Sequence, residues 1–446
     1  MKGIICMEKI IILLALATFS QAREVVPPPF AGTPFPNQDL PLHGGPWIGT
    51  TSNKGAAPNA TEASALEKAI DETGIGNALK SAGIHAAGWG ILGANVSTAK
   101  TSNLPLGYSL FPNRIDLNEV AFRLVRNVDT LQEDHIDWGF RIDALYGADY
   151  YMFISKGLFF NQFVNQAKTT NVTYGFDIPQ IYGDVYFPQI ADGMNIRAGR
   201  VLTNPTVYMN RTFLFSHTVY DSSTGDTQTG VFDTLKLNNN ITLQLGVANT
   251  PDVSLFAPSD RKTSLFAAAQ LNTTSQADSL YLMVYGLNDG NYAYHNWQTF
   301  YAIWTHKFSQ GFFFRLQNAY FYMNNVPVNA GENATVYPNN YIPAGTLDAT
   351  VTKANTRGYS VVGLLAYAFS DLDYIAARFE NTLDQQGTLT GTAALYRGYT
   401  LGWGHTWTSW LSSTAEVRRD IASATAYNGG TASTITLGIV SLTARY

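Results

Sequence analysis

Residues 136–146 read IDWGFRIDALY, a stretch in which apolar and polar side chains alternate. In an extended strand, successive side chains point to opposite faces. One face then carries Trp138, Phe140, Ile142, Ala144 and Tyr146, and the other carries Asp137, Gly139, Arg141 and Asp143. The stretch therefore predicts a β-strand with one apolar and one polar face.

The same two-residue period recurs, interrupted by turn residues, from Ile84 to Tyr446. We count about sixteen such segments, most of them near the roughly 9–11 residues that a tilted strand needs to cross a bilayer. Residues 279–308 alternate poorly. The predicted strands are 84–97, 115–127, 136–146, 178–188, 194–201, 227–235, 241–249, 262–272, 279–288, 297–308, 312–322, 356–369, 372–381, 392–407, 410–420 and 431–446.

Alternation is also typical of a soluble β-sandwich, in which the apolar faces are turned inward. Three features instead favour apolar faces turned outward to lipid. First, aromatic side chains lie near the ends of the apolar faces, as in the interfacial girdles of outer-membrane barrels; examples are Trp138, Tyr146, Tyr367, Phe369, Trp403 and Trp407.

The second feature is the length of the connections, because outer-membrane barrels alternate short periplasmic turns with long external loops. The short connections are 188–193, 236–240, 273–278, 309–311, 370–371 and 408–409, and the long ones are 98–113, 147–177, 202–226, 249–261, 323–355 and 382–391. The third feature is a final strand that ends on the aromatic Tyr446, which resembles the signal for the outer-membrane assembly machinery.

These features predict an all-β fold, a transmembrane antiparallel up-and-down β-barrel of about sixteen strands over residues 84–446. The barrel must close, because hydrocarbon offers no partner to an unpaired strand edge. An even strand number places both barrel ends on the periplasmic side. A barrel of this width leaves a water-filled channel, which predicts an outer-membrane porin for passive diffusion of small hydrophilic solutes or ions.

The residues before the barrel predict export. Residues 1–22 have the form of a signal peptide, with an apolar stretch at Ile10–Phe19 and small residues before a cut after Ala22. Residues 23–60 form a Pro/Gly-rich linker. Residues 61–83 contain a short amphipathic helix over 62–82, broken near Gly74 and Gly76. The predicted location is the bacterial outer membrane.

Composition excludes several other classes. Charged residues make up 14%, aromatic residues 13%, the net charge is −5 and there is one Cys. The chain is too aromatic to be disordered, too acidic for nucleic-acid binding through a basic surface, and unable to form a disulfide scaffold. The seven His are scattered without metal-ligand spacing, and nucleotide-binding and hydrolase motifs are absent. We therefore predict no metal, no cofactor, no nucleic-acid partner and no enzymatic activity.

The polar faces supply the candidate functional residues. Charges of both signs would line the lumen, where opposed charges set up a transverse field that biases ion passage. They would alternatively form neutralising ladders that only support the wall. The pore-lining candidates are Glu119, Arg123, Asp137, Arg141, Asp143, Asp184, Arg197, Arg315, Arg378, Glu380, Glu416 and Arg418.

Several motifs taken together resemble the putative β-barrel porin-2, OmpL-like family. They are Asn113-Arg114 with LNEVAFRLVR, DWGFRIDALYGADY (137–150), IPQIYGDVY (178–186), NIRAGR (195–200), RTFLFSHT (211–218), TGVF (229–232) and ITLQLGVANTPD (241–252). The resemblance covers most of residues 75–446 and implies an outer-membrane β-barrel porin. By analogy with porins whose loop after the fifth strand folds inward, it implies Arg211, His217 and Asp221 as constriction-loop candidates.

Two alternatives stay open at the level of sequence. One is a non-conducting barrel for adhesion or envelope structure, plugged by the 62–82 helix or by its long loops. The other is an outer-membrane hydrolase with a site assembled from distant strands. The partners expected in every case are outer-membrane lipid and, for a porin, small hydrophilic solutes. A homotrimer stays open too, because many porins are trimers but the sequence shows no subunit contact.

Overall fold

The computed structural model describes residues 64–160, 162, 173–203, 213–257, 262–275, 277–309, 311–327, 353–370, 372–408 and 410–446. Within these ranges the chain forms sixteen strands. They are β1 (His85–Ser97), β2 (Ile115–Arg126), β3 (Asp137–Gly147), β4 (Gly175–Phe187), β5 (Met194–Leu202), β6 (Thr227–Lys236), β7 (Ile241–Asn249), β8 (Thr263–Asn272), β9 (Asp278–Leu287), β10 (Gln298–Ser309), β11 (Phe312–Pro327), β12 (Lys353–Ala368), β13 (Asp373–Asp384), β14 (Ala394–Thr408), β15 (Leu411–Ala422) and β16 (Thr434–Arg445).

The strands form one closed barrel in which each strand pairs antiparallel with its neighbours in sequence. The ring is closed by β1 and β16, whose register runs from Trp89 opposite Arg445 to Ser97 opposite Leu437. Tyr446 extends this seam, since its N–H donates to the Gly88 carbonyl at 2.9 Å and its carbonyl accepts from the Gly88 N–H at 2.7 Å. The predicted barrel and its sixteen strands are confirmed.

The two faces of each strand differ as the two-residue period predicts. On β3, Trp138 and Tyr146 are exposed on the outer surface, whereas Asp137, Arg141 and Asp143 are buried inside. The same contrast holds around the ring, because exposed large apolar side chains occur on most of the strands. A soluble sandwich would bury these apolar faces against each other. The single closed sheet leaves them outside, where a bilayer would cover them.

Connections alternate in length around the barrel, as expected. One end carries six connections of two to six residues, 188–193, 237–240, 273–277, 310–311, 369–372 and 409–410, together with the ten-residue connection 127–136. The other end carries the longer ones, residues 98–114, 148–174, 203–226, 250–262, 288–297, 328–352, 385–393 and 423–433. We refer to these as the short-turn end and the long-loop end. Parts of the long loops fold back inside, for example the buried 3-10 helix Ala148–Met152.

Two helices precede the barrel, where the sequence predicts one helix broken near Gly74 and Gly76. Helix α1 (Ala65–Ile70) begins with a capping box between Ser64 and Glu67. Helix α2 (Gly74–Ser81) is capped by Thr73, so Gly74 begins a helix rather than ending one. The Glu67 carboxylate also accepts from the Ala86 N–H at 2.9 Å and contacts His85 Nδ1 at 3.0 Å. Helix α1 therefore sits beside the start of β1.

In the described ranges no helix has both the length and the apolar character needed to cross a bilayer. The predicted signal peptide (1–22) and linker (23–60) lie outside the described residues.

Candidate functional site: the barrel lumen

The twelve pore-lining candidates all lie on strands, with side chains on the inner face. Eleven of them are less than a tenth exposed, and Arg315 is half-buried. Buried charges are stable only when they are paired and hydrogen-bonded. Their partners therefore decide what the lumen can do.

One cluster of charges spans β2, β3 and β4. Asp143 accepts from Arg123 Nε at 2.8 Å, from Arg141 Nε at 2.9 Å and from Gln180 Nε2 at 2.8 Å. Arg123 and Asp143 are direct cross-strand neighbours, which explains their contact. Beside this cluster, Glu119 accepts from the Trp89 indole N–H at 2.8 Å. Two guanidinium groups share the Asp143 carboxylate, and Glu119 adds a second carboxylate, so charges of both signs are held on this part of the inner wall.

Two further ion pairs lie on the inner wall, one between β4 and β5 and one between β2 and β3. Asp184 and Arg197 are cross-strand neighbours and form a two-pronged ion pair, with N–O distances of 2.7 and 2.8 Å. The Arg197 guanidinium also lies 3.8 Å from the centre of the Tyr182 ring. Asp137 pairs with Arg126 at 3.0 Å. Both pairs place charges of both signs on the inner wall, and the bidentate geometry of the Asp184–Arg197 pair holds that guanidinium firmly.

The connection between β5 and β6 reaches the opposite side of the barrel. Its residues 213–226, which we name the crossing loop, contact the inner faces of β13, β14 and β15. In a ring of sixteen strands, β13 is eight positions from β5 and β14 is eight positions from β6. A loop that begins on one wall and binds the diametrically opposite wall must pass through the lumen.

Glycines on β14 make room for this docking. A Cβ at Gly402 would overlap the side chain of Leu214, so the glycine admits the crossing loop against the wall. A Cβ at Gly398 would overlap the Glu380 carboxylate. Because Gly398 has no side chain, Glu380 on β13 reaches across β14 and pairs with Arg418 on β15.

Charged side chains of the wall bind the backbone of the crossing loop. Glu416 accepts from the N–H groups of Phe215 and Ser216 and, at 2.7 Å, from Ser216 Oγ. Glu380 accepts from the Val219 N–H at 2.9 Å. Arg378 donates to Ser216 Oγ at 3.1 Å and to the His217 carbonyl at 3.3 Å.

Arg418 completes this set, which we name the docking cluster: Arg378, Glu380, Glu416, Arg418 and Asp420. Arg418 donates to the His217 carbonyl and pairs with both Glu380 and Asp420. The wall carboxylates thus accept hydrogen bonds from N–H groups of the loop, and the wall guanidinium groups donate hydrogen bonds to a loop carbonyl. Such charge-assisted bonds are about twice as strong as neutral ones, so the wall holds one conformation of the loop.

The constriction-loop candidates have different positions. Arg211 lies outside the described residues. His217 is buried and stacks on Tyr108, with ring centres 3.9 Å apart. Asp221 is buried and accepts from Thr218 Oγ1 at 2.7 Å, so it shapes the loop from within.

Aromatic contacts fix the loop on a second part of the wall. Tyr220 packs 5.1 Å from Phe321 on β11 and 6.1 Å from Tyr301 on β10, between ring centres. The two phenol oxygens are 3.1 Å apart. Burial raises the pKa of the Tyr220 phenol, which therefore stays a neutral hydrogen-bonding group. The loop is bound by charge on β13–β15 and by rings on β10 and β11.

The candidates chosen from sequence omit several inner charges. Asp420 lies two residues after Arg418 on the same strand, so both side chains point to the inner face. This two-residue spacing is visible in the sequence and could have identified Asp420. Arg200 and Asp177 form a buried ion pair at 2.9 Å, and Arg200 also donates to the Phe153 carbonyl. Asp177 precedes the predicted start of its strand at 178, because β4 begins earlier, at Gly175.

Across the described ranges, no three His, Cys, Asp or Glu side chains converge as ligands for a metal ion. The described side chains supply fixed charges and hydrogen-bonding groups around a lumen that the crossing loop traverses.

Comparison with solved structures gives porins as neighbours. An anion-selective porin from Comamonas acidovorans has a TM-score of 0.52 at 8% identity, covering 81% of this chain and 99% of that chain. The outer membrane channel DcaP of Acinetobacter baumannii has a TM-score of 0.49 at 12% identity, covering 81% of this chain and 96% of that chain. At such identities the likeness concerns the fold alone.

No curated protein sequence gives a significant match to this chain. A family model does: the one described as "Putative beta-barrel porin-2, OmpL-like" matches residues 86–445, which are nearly the whole barrel. The chain therefore belongs to the putative β-barrel porin-2, OmpL-like family, and its barrel is that of an outer-membrane porin.

Proposed function

We propose that the protein is a channel for passive diffusion of small hydrophilic solutes or ions across the bacterial outer membrane. The observation that carries this proposal is a closed sixteen-strand wall with apolar side chains outside and paired charges inside. Barrels of sixteen to eighteen strands are wide enough to leave an aqueous passage. Lipid covers the outer face, and the lumen is the route for solutes.

The crossing loop is the proposed constriction of this channel. It divides a lumen that the wall alone would leave wide, and the docking cluster holds it in place. The inner charges beside it are the proposed selectivity elements, because fixed charges close to a narrow passage act on ions at short range. In this proposal His217 and Asp221 shape the loop, whereas Arg123, Arg141 and Asp143 act from the wall.

The arrangement of the helices argues against a plug made of residues 62–82. Helix α1 has no buried residue, and in α2 only Gly76 is buried. A helix that filled the lumen would be buried on most of its surface.

Export through a signal peptide at 1–22, and assembly through the strand that ends at Tyr446, belong to the same proposal.

Planar-bilayer recording of the folded full-length chain tests the proposal. A porin gives stepwise, ohmic increases of current as single barrels insert. A silent bilayer that contains correctly folded protein would instead favour the non-conducting barrel. A lipase and esterase assay on the same preparation tests the remaining alternative, and activity that scales with folded protein would assign an enzyme.

A further inference from the structure

Two clusters of the same composition lie on the outer surface of the barrel at the short-turn end. The first is built on Trp304, His306 and Phe308 of β10, and the second on Trp403, His405 and Trp407 of β14. Each strand reads Trp-x-His-x-aromatic, so three rings share its outer face. In each case an Asp begins the preceding strand and faces the His directly: Asp278 opposite His306, and Asp373 opposite His405.

In the first cluster one carboxylate oxygen has two ring partners. Asp278 Oδ1 lies 2.8 Å from His306 Nδ1 and accepts from the Trp304 indole N–H at 3.1 Å. The His306 ring is edge-on to Phe308 at 4.6 Å between centres, and the Trp304 ring is 5.9 Å away, tilted by 35°.

The second cluster repeats this geometry closely. Asp373 Oδ1 lies 2.7 Å from His405 Nδ1 and accepts from the Trp403 indole N–H at 3.1 Å. The His405 ring is edge-on to Trp407 at 4.4 Å, and the Trp403 ring is 5.6 Å away, tilted by 30°. Oδ2 of Asp373 also accepts from Ser370 Oγ at 2.9 Å. The same arrangement of carboxylate, imidazole and indole therefore occurs on two separate strand pairs.

The position of the two clusters on the outer surface, at a strand end, indicates that they contact lipid headgroups. The exposed fractions are 39% for Trp304, 55% for Phe308, 40% for Trp403 and 56% for Trp407, so the rings face away from the lumen. Aromatic rings at a strand end lie at the level of lipid headgroups. The carboxylates remain partly open, with side-chain exposures of 36% for Asp278 and 22% for Asp373. A headgroup in the periplasmic leaflet would lie directly against them.

The chemistry of the clusters selects the kind of headgroup. An ionised carboxylate can only accept, so the proton shared with the His must be on Nδ1. The carboxylate of each cluster is bordered by the faces and edges of aromatic rings. A carboxylate beside aromatic rings attracts a cation, through charge and through the ring quadrupole.

We propose that the two clusters are binding sites for the ammonium group of ethanolamine phospholipids in the periplasmic leaflet. The sites are separate, since four strand spacings of about 4.8 Å place β10 and β14 roughly 19 Å apart. Each barrel therefore holds two such lipids. The inference depends on the barrel lying in a membrane and not on conduction through its lumen.

Native mass spectrometry of the folded full-length protein tests the sites, with phosphatidylethanolamine or phosphatidylglycerol added to the detergent solution. The wild type is expected to retain two phosphatidylethanolamine molecules in preference to phosphatidylglycerol. Asp278→Asn and Asp373→Asn should each weaken the retention of one phosphatidylethanolamine molecule, the one at the altered site, by about three- to tenfold. Asp278→Glu, which keeps the charge, should retain the lipid.

Asp134→Asn is the matched control, because Asp134 pairs with His135 at 2.8 Å in the connection between β2 and β3 at the same end of the barrel. It should leave lipid retention at the wild-type level. Single-channel conductance should be unchanged in all these variants, which separates this inference from the proposed function. Equal retention of phosphatidylglycerol by the wild type would overturn the assignment in favour of phosphate recognition. Unaltered phosphatidylethanolamine retention in the double Asp variant would overturn it as well.

Discussion

Replacing Glu416 by Ala should release one side of the crossing loop. The Glu416 carboxylate accepts from three donors of the loop, the N–H groups of Phe215 and Ser216 and the hydroxyl of Ser216. The variant leaves these three donors without their acceptor. Because the barrel wall is held by its own strand pairing, we expect the barrel to fold and the loop to lose its fixed position.

The expected size of the effect follows from the bonds that are lost. A hydrogen bond to a charged group contributes about 1.5–3 kcal/mol. Water that enters the lumen can bond to the freed donors and offsets part of this loss. A net loss of about 3 kcal/mol for the three bonds together changes the ratio of bound to released loop by about a hundredfold. A released loop no longer holds the lumen at one width.

Single-channel recording measures this change. Glu416→Ala should show a larger mean conductance and more open-channel noise than the wild type. Asp184→Asn is the control, because it also neutralises an inner carboxylate but its partners are Arg197 and Asn195 on β5, not the loop. Conductance and noise equal to the wild type in Glu416→Ala would refute the idea that the docking cluster sets the constriction.

Three further variants test other parts of the structure. Gly402→Val fills the space taken by Leu214, so conductance should rise as in Glu416→Ala, and a wild-type value would contradict docking at this position. Arg141→Glu adds a negative charge beside Asp143, so the reversal potential in a salt gradient should shift toward cations; no shift would leave the residue a structural role only. Asp177→Ala leaves Arg200 buried without its carboxylate and should cost about 3–5 kcal/mol in urea unfolding, whereas an unchanged midpoint would show that the pair is not needed for stability.

The strands could be predicted because their signal is local. A two-residue period is set by whether each side chain meets lipid or the lumen, and it needs no knowledge of distant residues. The weak alternation over 279–308 also has a local reason. On β9 the inner positions are the buried Tyr281, Met283 and Tyr285, so both faces of this strand are apolar, and β10 continues the same ring-rich wall opposite Tyr220.

The inner charges could be predicted in part. Parity places Arg123, Asp143 and Arg418 on the inner face, and cross-strand register explains the Arg123–Asp143 pair. Register does not give the Arg418 pairs, because Asp420 is on the same strand and Glu380 reaches Arg418 across β14. The destination of the crossing loop could not be predicted, because its bonds join Ser216 to Glu416, residues 200 positions apart. No periodic pattern encodes such a contact. It depends on barrel closure, which brings β13–β15 opposite β5 and β6.

The proposed channel requires that the wall enclose a water-filled passage for small hydrophilic solutes. Osmotic swelling of liposomes that contain the folded wild-type protein, measured with sugars of increasing size, shows whether this passage exists. The swelling rate should exceed that of protein-free liposomes and should fall steadily as the sugar grows. Swelling no faster than in protein-free liposomes, for every sugar and with folded barrels present in the membrane, would contradict the claim.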